Sequence, residues 1–209
     1  MNLKRNNLLG IWIIGFLIFG CASVKPNIPV DQGSVEPGTF VNRGDKQFKL
    51  LGTPIAVGKS LPSVKLVDAM TSQEVDLSHQ KGSVLFLSIV PSIDTAVCES
   101  QTHFLGEEGN KLPADVKRIT ISRDTPFAQK RFAKEAKLGH IQYLSDYKQG
   151  DFGRAIGLLV DGSMLLSRSV ILVDKQGVVR YIQVVPNLGH LPDMEKAFQK
   201  ATELAKIGS

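Results

Sequence analysis

The stretch Val84-Leu85-Phe86-Leu87-Ser88-Ile89-Val90-Pro91-Ser92-Ile93-Asp94-Thr95-Ala96-Val97-Cys98 decides the reading of this chain. Residues 84–90 are apolar and β-branched, the composition of a buried strand, and Pro91, which has no backbone donor, ends it. From Thr95 onward the pattern turns helical, with Thr95 near the start and Phe104 and Leu105 further along one face. A strand therefore gives way to a helix, and a thiol, Cys98, falls in the first turn of that helix.

That placement has a chemical consequence. The unpaired N–H groups and the positive end of the helix dipole favour a thiolate, lowering a cysteine pKa from its free value of about 8.5. Thr95, three residues earlier, can cap the helix or aim its hydroxyl at the sulfur or at a bound oxygen ligand. Pro91 can shield the pocket from bulk water.

Working outward, residues 48–57 alternate around Gly52-Thr53-Pro54 as a hairpin would, and residues 64–68 form a short strand. Beyond the Cys98 helix come a strand over 116–122, a helix over 126–137 with Pro126 in its first turn, and a short strand over 141–144. Residues 169–174 and 178–185 flank the turn Lys175-Gln176-Gly177, and Pro192 opens a helix through Leu204. The order βαβα followed by ββα is compatible with a thioredoxin-like α/β sandwich, helices covering a mixed sheet. Periodicity alone reaches only an α/β domain.

The pattern Pro91-x-x-x-Thr95-x-x-Cys98 resembles the active-site signature of peroxiredoxins, and the longer Val90-Pro91-Ser92-Ile93-Asp94-Thr95-x-Val97-Cys98 is similar to the bacterial thiol peroxidase subfamily. Three further motifs follow the same order as in that family. Gly52-Thr53-Pro54-Ile55-x-Val57-Gly58 with Leu61-Pro62 looks like its N-terminal hairpin and the lead-in to its domain. Ile121-Ser122-x-Asp124-x-Pro126-Phe127-Ala128-Gln129-x-Arg131-Phe132 looks like its central strand-to-helix segment. Ser167-Arg168-Ser169-Val170-x-Leu172-Val173-Asp174 is similar to the strand that supplies the active-site arginine.

The resemblance implies a thioredoxin-like (peroxiredoxin) sandwich with an N-terminal β-hairpin, and reduction of hydrogen peroxide or organic hydroperoxides. Cys98 would be the peroxidatic nucleophile that becomes a sulfenic acid. Arg168 would be a fixed cation beside the thiolate and the departing oxygen, where otherwise it would form a strand-end salt bridge. Thr95 would hydrogen-bond the substrate oxygen or the thiolate, and Pro91 would complete the site. Ser92, Asp94 and Arg131 read as scaffold; Phe127 and Phe132 pack the core or a subunit interface. A homodimer is implied, and no cofactor.

One departure bears on mechanism. The common thiol peroxidases carry a resolving cysteine directly after the Arg-Phe pair, where this chain has Ala133. Regeneration would then need an external thiol, a thioredoxin-like protein or a small molecule. Two other classes compete with an enzyme: a membrane-tethered redox-sensing module with little turnover, and a thiol-disulfide oxidoreductase, against which the absence of Cys-x-x-Cys argues.

Residues 1–20 read as a signal peptide of lipoprotein type: Lys4 and Arg5 precede an apolar run that is short for a membrane span. Ile18-Phe19-Gly20-Cys21 looks like a lipobox with an atypical Phe19, making Cys21 the lipidated N-terminus. An uncleaved anchor, or cleavage elsewhere, are the competing readings. Residues 21–47, punctuated by Pro26, Pro29, Pro37 and Gly38, read as a flexible linker, and residues 48–209 as the folded domain. The address is the bacterial cell envelope.

The formal net charge is +5, and the 25 basic residues fall to 23, against 20 acidic, once Lys4 and Arg5 are set aside. No basic stripe with interleaved aromatics is present, so nucleic acid is not implied. His79, His103, His140 and His190 are scattered without ligand spacing, so no metal is implied, and His103 is placed outside the site.

Overall fold

Residues 27–207 are described by the computed structural model. In chain order the elements are β1 (Val30–Asp31), β2 (Phe40–Arg43), β3 (Lys46–Leu51), β4 (Lys65–Asp68), β5 (Glu74–Asp76), β6 (Val84–Ile89), α1 (Ala96–Glu107), β7 (Val116–Ser122), α2 (Pro126–Glu135), β8 (Gln142–Ser145), α3 (Asp151–Ala155), β9 (Leu159–Val160), β10 (Ser169–Val173), β11 (Val179–Val184), β12 (Leu191–Pro192) and α4 (Met194–Lys206). Seven strands form the main sheet in the order β11-β10-β6-β7-β8-β4-β5. Its middle, β6-β7-β8, is parallel and crosses over through α1 and α2; β10, β11, β4 and β5 join it antiparallel. This is the thioredoxin-like arrangement the element order points to.

Every residue of β6 is buried, because both sheet faces are covered. Side chains alternate across the sheet. Leu85, Leu87 and Ile89 enter a core shared with Val41, Leu50 and Leu159 of the small sheet β2-β3-β9. Val84 and Phe86 enter the opposite core, shared with Leu105 of α1, Ala133 of α2 and Phe198 of α4. Phe86 and Phe104 both meet Phe198 edge to face, with ring centroids 5.4 Å apart in each pair.

The N-terminal part differs from its reading. The hairpin is β2-β3: Arg43 lies opposite Lys46, which leaves Gly44-Asp45 as the turn. Gly52 instead marks the end of β3, where the chain crosses α3. Its φ is +111°, and a Cβ there would lie 1.9 Å from the Arg154 carbonyl oxygen, which accepts from Thr53 N at 2.7 Å. Residues 27–47, expected to be a flexible linker, hold β1, β2 and the start of β3. β1 pairs in parallel with β12. Gln183 and Ser34 supply side-chain bonds to this segment that the Pro and Gly content gave no sign of. The reading of residues 1–20 as a signal peptide and of Cys21 as a lipid site lies outside the described residues. Among those that are described, no helix is long and apolar enough to cross a membrane.

Elsewhere the ends shift. α2 stops at Glu135 and Lys137 takes a positive φ. Pro192 belongs to β12, and Asp193 caps α4 by accepting from Lys196 N at 3.0 Å. β5, α3 and β9 are too short to have carried a periodic signal.

Candidate active site

The site lies where β6 ends, at the carboxyl edge of the parallel strands, which is where such sheets bind ligands. Val90 continues the strand direction, its N–H bonded to the Ile121 carbonyl at 3.0 Å. After Pro91, the loop to α1 is held by Asp124, whose carboxylate accepts from Ser92 Oγ and Ile93 N, both at 2.8 Å. Thr95 is the N-cap residue in extended conformation, but its hydroxyl caps nothing; it turns back to donate to the Ser92 carbonyl at 3.4 Å. The threonine is exposed, so the hydroxyl remains accessible to a ligand.

Cys98 is the third residue of α1 and is fully buried. It packs with Val90, Ile93 and the partly buried Phe132 of α2. Its backbone N–H belongs to the unpaired first turn, and the positive end of the helix dipole lies beside the sulfur.

Arg168 reaches the thiol because of strand register. Ser169 lies opposite Ile89 in the antiparallel pair β10-β6, so the residue before it falls at the end of β6 where Cys98 sits. Nη2 donates to Cys98 Sγ at 3.2 Å, Nη1 to Gln101 Oε1 at 2.9 Å and Nε to the Leu188 carbonyl at 3.2 Å. The arginine is 2% exposed. Burial lowers its pKa from the ordinary value, and its electrostatic and hydrogen-bond interactions with Cys98 oppose that shift. A buried guanidinium fixed at three nitrogens is pre-organised to stabilise a thiolate.

Gln101 was absent from the sequence-derived site. It stands one turn after Cys98, is fully buried, and spends its amide N–H on Ser88 Oγ at 2.9 Å while its oxygen holds Arg168. Ser88, the polar residue in an otherwise apolar strand, shares a face with Val84 and Phe86 and thus points at the helices. The signal that could have found this pair is that hydroxyl inside β6 together with the i+3 spacing of Gln101 from Cys98.

Pro91, Thr95 and Arg168 line a cleft of about 260 Å³, together with Phe48 of β3, Val97 and Leu188. The walls are mainly apolar, with Arg168 and Arg43 as the charged members. Cys98 is fully buried and does not line the cleft, whereas Arg168, hydrogen-bonded to its sulfur, does. Arg131 faces Asp94 at 3.9 Å between exposed side chains, a scaffold contact of little energy. His103 lies between Glu99 at 3.7 Å and Glu107 at 2.8 Å, so it serves the outer face of α1. Phe127 is 81% exposed and leaves the core entirely, whereas Ala133 is buried in the helix-side core.

The redoxin family model matches residues 56–198. The thiol peroxidase of Bacillus subtilis is 37% identical over 157 residues, covering 75% of this chain and 93% of its own. The thiol peroxidase of Listeria innocua is 39% identical over 152 residues, 73% of this chain and 91% of its own. Among solved structures, a peroxiredoxin-like protein from Aquifex aeolicus superposes with a TM-score of 0.75 at 30% identity, covering 81% of this chain and 99% of its own. A thiol peroxidase from Chromobacterium violaceum gives 0.65 at 25% identity, over 78% and 96%. With the register that sets Arg168 on Cys98 already in view, these matches close the question of kinship: the chain belongs to the redoxin family, in its thiol peroxidase branch of the peroxiredoxins.

Proposed function

We propose that this chain is a thiol-dependent peroxidase in which Cys98 reduces hydrogen peroxide or an organic hydroperoxide. The observation that carries the reading is the 3.2 Å contact between Arg168 Nη2 and Cys98 Sγ, on a guanidinium held by Gln101 and the Leu188 carbonyl. The thiolate attacks the distal oxygen of the hydroperoxide. An S–O bond forms, the O–O bond breaks, and the proximal oxygen leaves as water or an alcohol after taking a proton. Arg168 stabilises the negative charge as it moves from sulfur to the departing oxygen, and the Thr95 hydroxyl bonds a peroxide oxygen in the cleft. Pro91 walls the cleft against bulk water.

The sulfenic acid on Cys98 is regenerated from outside the chain. Ala133 stands where relatives would place a second thiol, so an external thiol condenses with the sulfenic acid, releasing water. A second thiol equivalent then breaks the mixed disulfide and restores the thiolate. The exposed Phe127, in the first turn of α2 three residues after the Asp124 that holds the active-site loop, supports assembly as a homodimer. Residues 1–20 act as a lipoprotein signal and Cys21 carries the lipid, which places the domain at a membrane of the cell envelope; the charged, apolar and Gly20-Cys21 pattern supports this.

The test is the mass of Cys98 after one equivalent of peroxide, with and without added thiol. A gain of one oxygen, reversed by thiol and abolished in Cys98→Ser, is expected. Peroxide consumption unchanged in Cys98→Ser would overturn the assignment.

A further inference from the structure

Of the three groups that hold Arg168, the Leu188 carbonyl stands on a loop between β11 and β12, and that loop is secured by the N-terminal end of the chain. Leu188 N donates to the Asn42 carbonyl at 2.8 Å, and Asn42 N to the Pro186 carbonyl at 2.7 Å. Further out, the strap formed by residues 29–34 closes over the same loop. Leu191 N donates to the Pro29 carbonyl at 2.8 Å. The Asp31 carboxylate takes the Asn187 N–H at 3.4 Å and lies 3.1 Å from His190 Nδ1.

The strap is built in. Gln183, 2% exposed, gives its amide N–H groups to the Asp31 and Gly33 carbonyls at 2.7 and 3.1 Å, and Ser34 Oγ accepts from Val184 N at 3.0 Å. A two-stranded pair such as β1-β12 is marginal by itself, so these side-chain bonds decide whether the strap stays. All of it precedes residue 56, where the family match begins.

We infer that Asp31 is a positioning residue for the peroxidase reaction: by accepting from Asn187 N and facing His190 across 3.1 Å it reinforces the Asn42 anchor of the Leu188 carbonyl, and through it the direction in which Arg168 faces Cys98. The inference rests on the peroxidatic reading of Cys98. Without Asp31 the loop rests on its two Asn42 backbone bonds, so the Leu188 carbonyl loosens and Gln101 becomes the firmest partner of the guanidinium besides the sulfur. A displacement on the order of 1 Å is enough to cost up to about 10²-fold in rate.

The experiment compares the full chain with Asp31→Ala, His190→Ala and Asp31→Asn, reading the Cys98 thiolate by its ultraviolet absorbance across pH, alongside the rate of oxidation by hydrogen peroxide. Asp31→Ala should raise the thiol midpoint and slow oxidation roughly tenfold. Asp31→Asn, which keeps an oxygen for the Asn187 N–H, should stay near wild type. If Asp31→Ala fails to fold by circular dichroism, His190→Ala decides by the same two readouts. Folded alanine variants with an unshifted thiolate profile and an unchanged rate would overturn the inference. Wild-type Cys98 that ignores peroxide would instead overturn the peroxidase reading, and the thiolate profile would still report on the tether.

Discussion

At the residue scale, four buried side chains, Ser88, Gln101, Arg168 and Cys98, form a chain in which each is bonded to the next. On the proposed reading Arg168 contributes charge where it develops, so Arg168→Ala should lower the rate of Cys98 oxidation by about 10²-fold or more and raise the thiol midpoint. Gln101 acts on the thiol only through the guanidinium. Gln101→Leu should therefore slow oxidation more mildly, roughly tenfold, while costing about 1–2 kcal/mol of stability because Ser88 Oγ and Arg168 Nη1 lose a buried partner. Stopped-flow oxidation kinetics and urea titration separate the two effects, and a Gln101→Leu protein with wild-type kinetics would remove the glutamine from the positioning network.

At the element scale, the β10-β11 turn offers a pH-dependent stability test. Asp174 accepts from Gln176 N and Val178 N, each at 2.9 Å, and from Arg180 Nε at 2.6 Å. Burial pushes its carboxyl up, but those hydrogen bonds together outweigh it, and the pKa ends below the ordinary 3.8. A depressed folded pKa means the carboxylate's contribution is complete above the unfolded value and fades as pH falls through the folded one. Asp174→Asn should accordingly cost about 1–2 kcal/mol at neutral pH, with the difference from wild type shrinking at an acidic pH below the depressed folded pKa. Urea titrations at the two pH values check it. On α2, Ala133→Cys should form an internal disulfide with Cys98 after peroxide, detected by non-reducing peptide mapping. Since both positions are buried, that bond requires local opening of a helix end, so it should form more slowly than sulfenic acid.

At the scale of the whole molecule, regeneration and address are the open quantities. If regeneration is external, as proposed, sulfinic acid should accumulate under repeated peroxide more readily than in the Ala133→Cys variant. Mass spectrometry across successive peroxide additions reads this directly. Sustained turnover with no added thiol would contradict it, whereas single oxidation without turnover in the presence of thiols would favour a sensing role. Expressed in a bacterium, the protein should partition into detergent and lack residues 1–20. A water-soluble product, or one that keeps Met1, would refute lipidation at Cys21.

Much of this architecture was legible because local rules and tertiary packing agree. The apolar run of β6, its stop at Pro91, the helix start at Thr95 and the Gly177 turn each have a local cause, and Cys98, Thr95, Pro91 and Arg168 could be named from motif and spacing. The N-terminal segment was misread because Pro and Gly signal irregular backbone whether or not distant partners hold it, and its partners, Gln183 and the Leu191 N–H, lie some 150 residues away. Gln101 escaped for a related reason: its i+3 spacing from Cys98 and the hydroxyl inside β6 are the only local signs, and its partners Ser88 and Arg168 stand elsewhere in the fold. Local pattern was enough for β6, α1, β7, α2, α4 and the Gly177 turn, and for naming Cys98 as the candidate nucleophile, since propensity, capping and hydrophobic period act over a few residues. It takes the packed sheets to set Ser169 opposite Ile89, to bring Arg168 onto Cys98, and to close the strap of residues 29–34 over the loop that holds Leu188. Register and long-range pairing depend on how two faces bury together, and no local pattern records that.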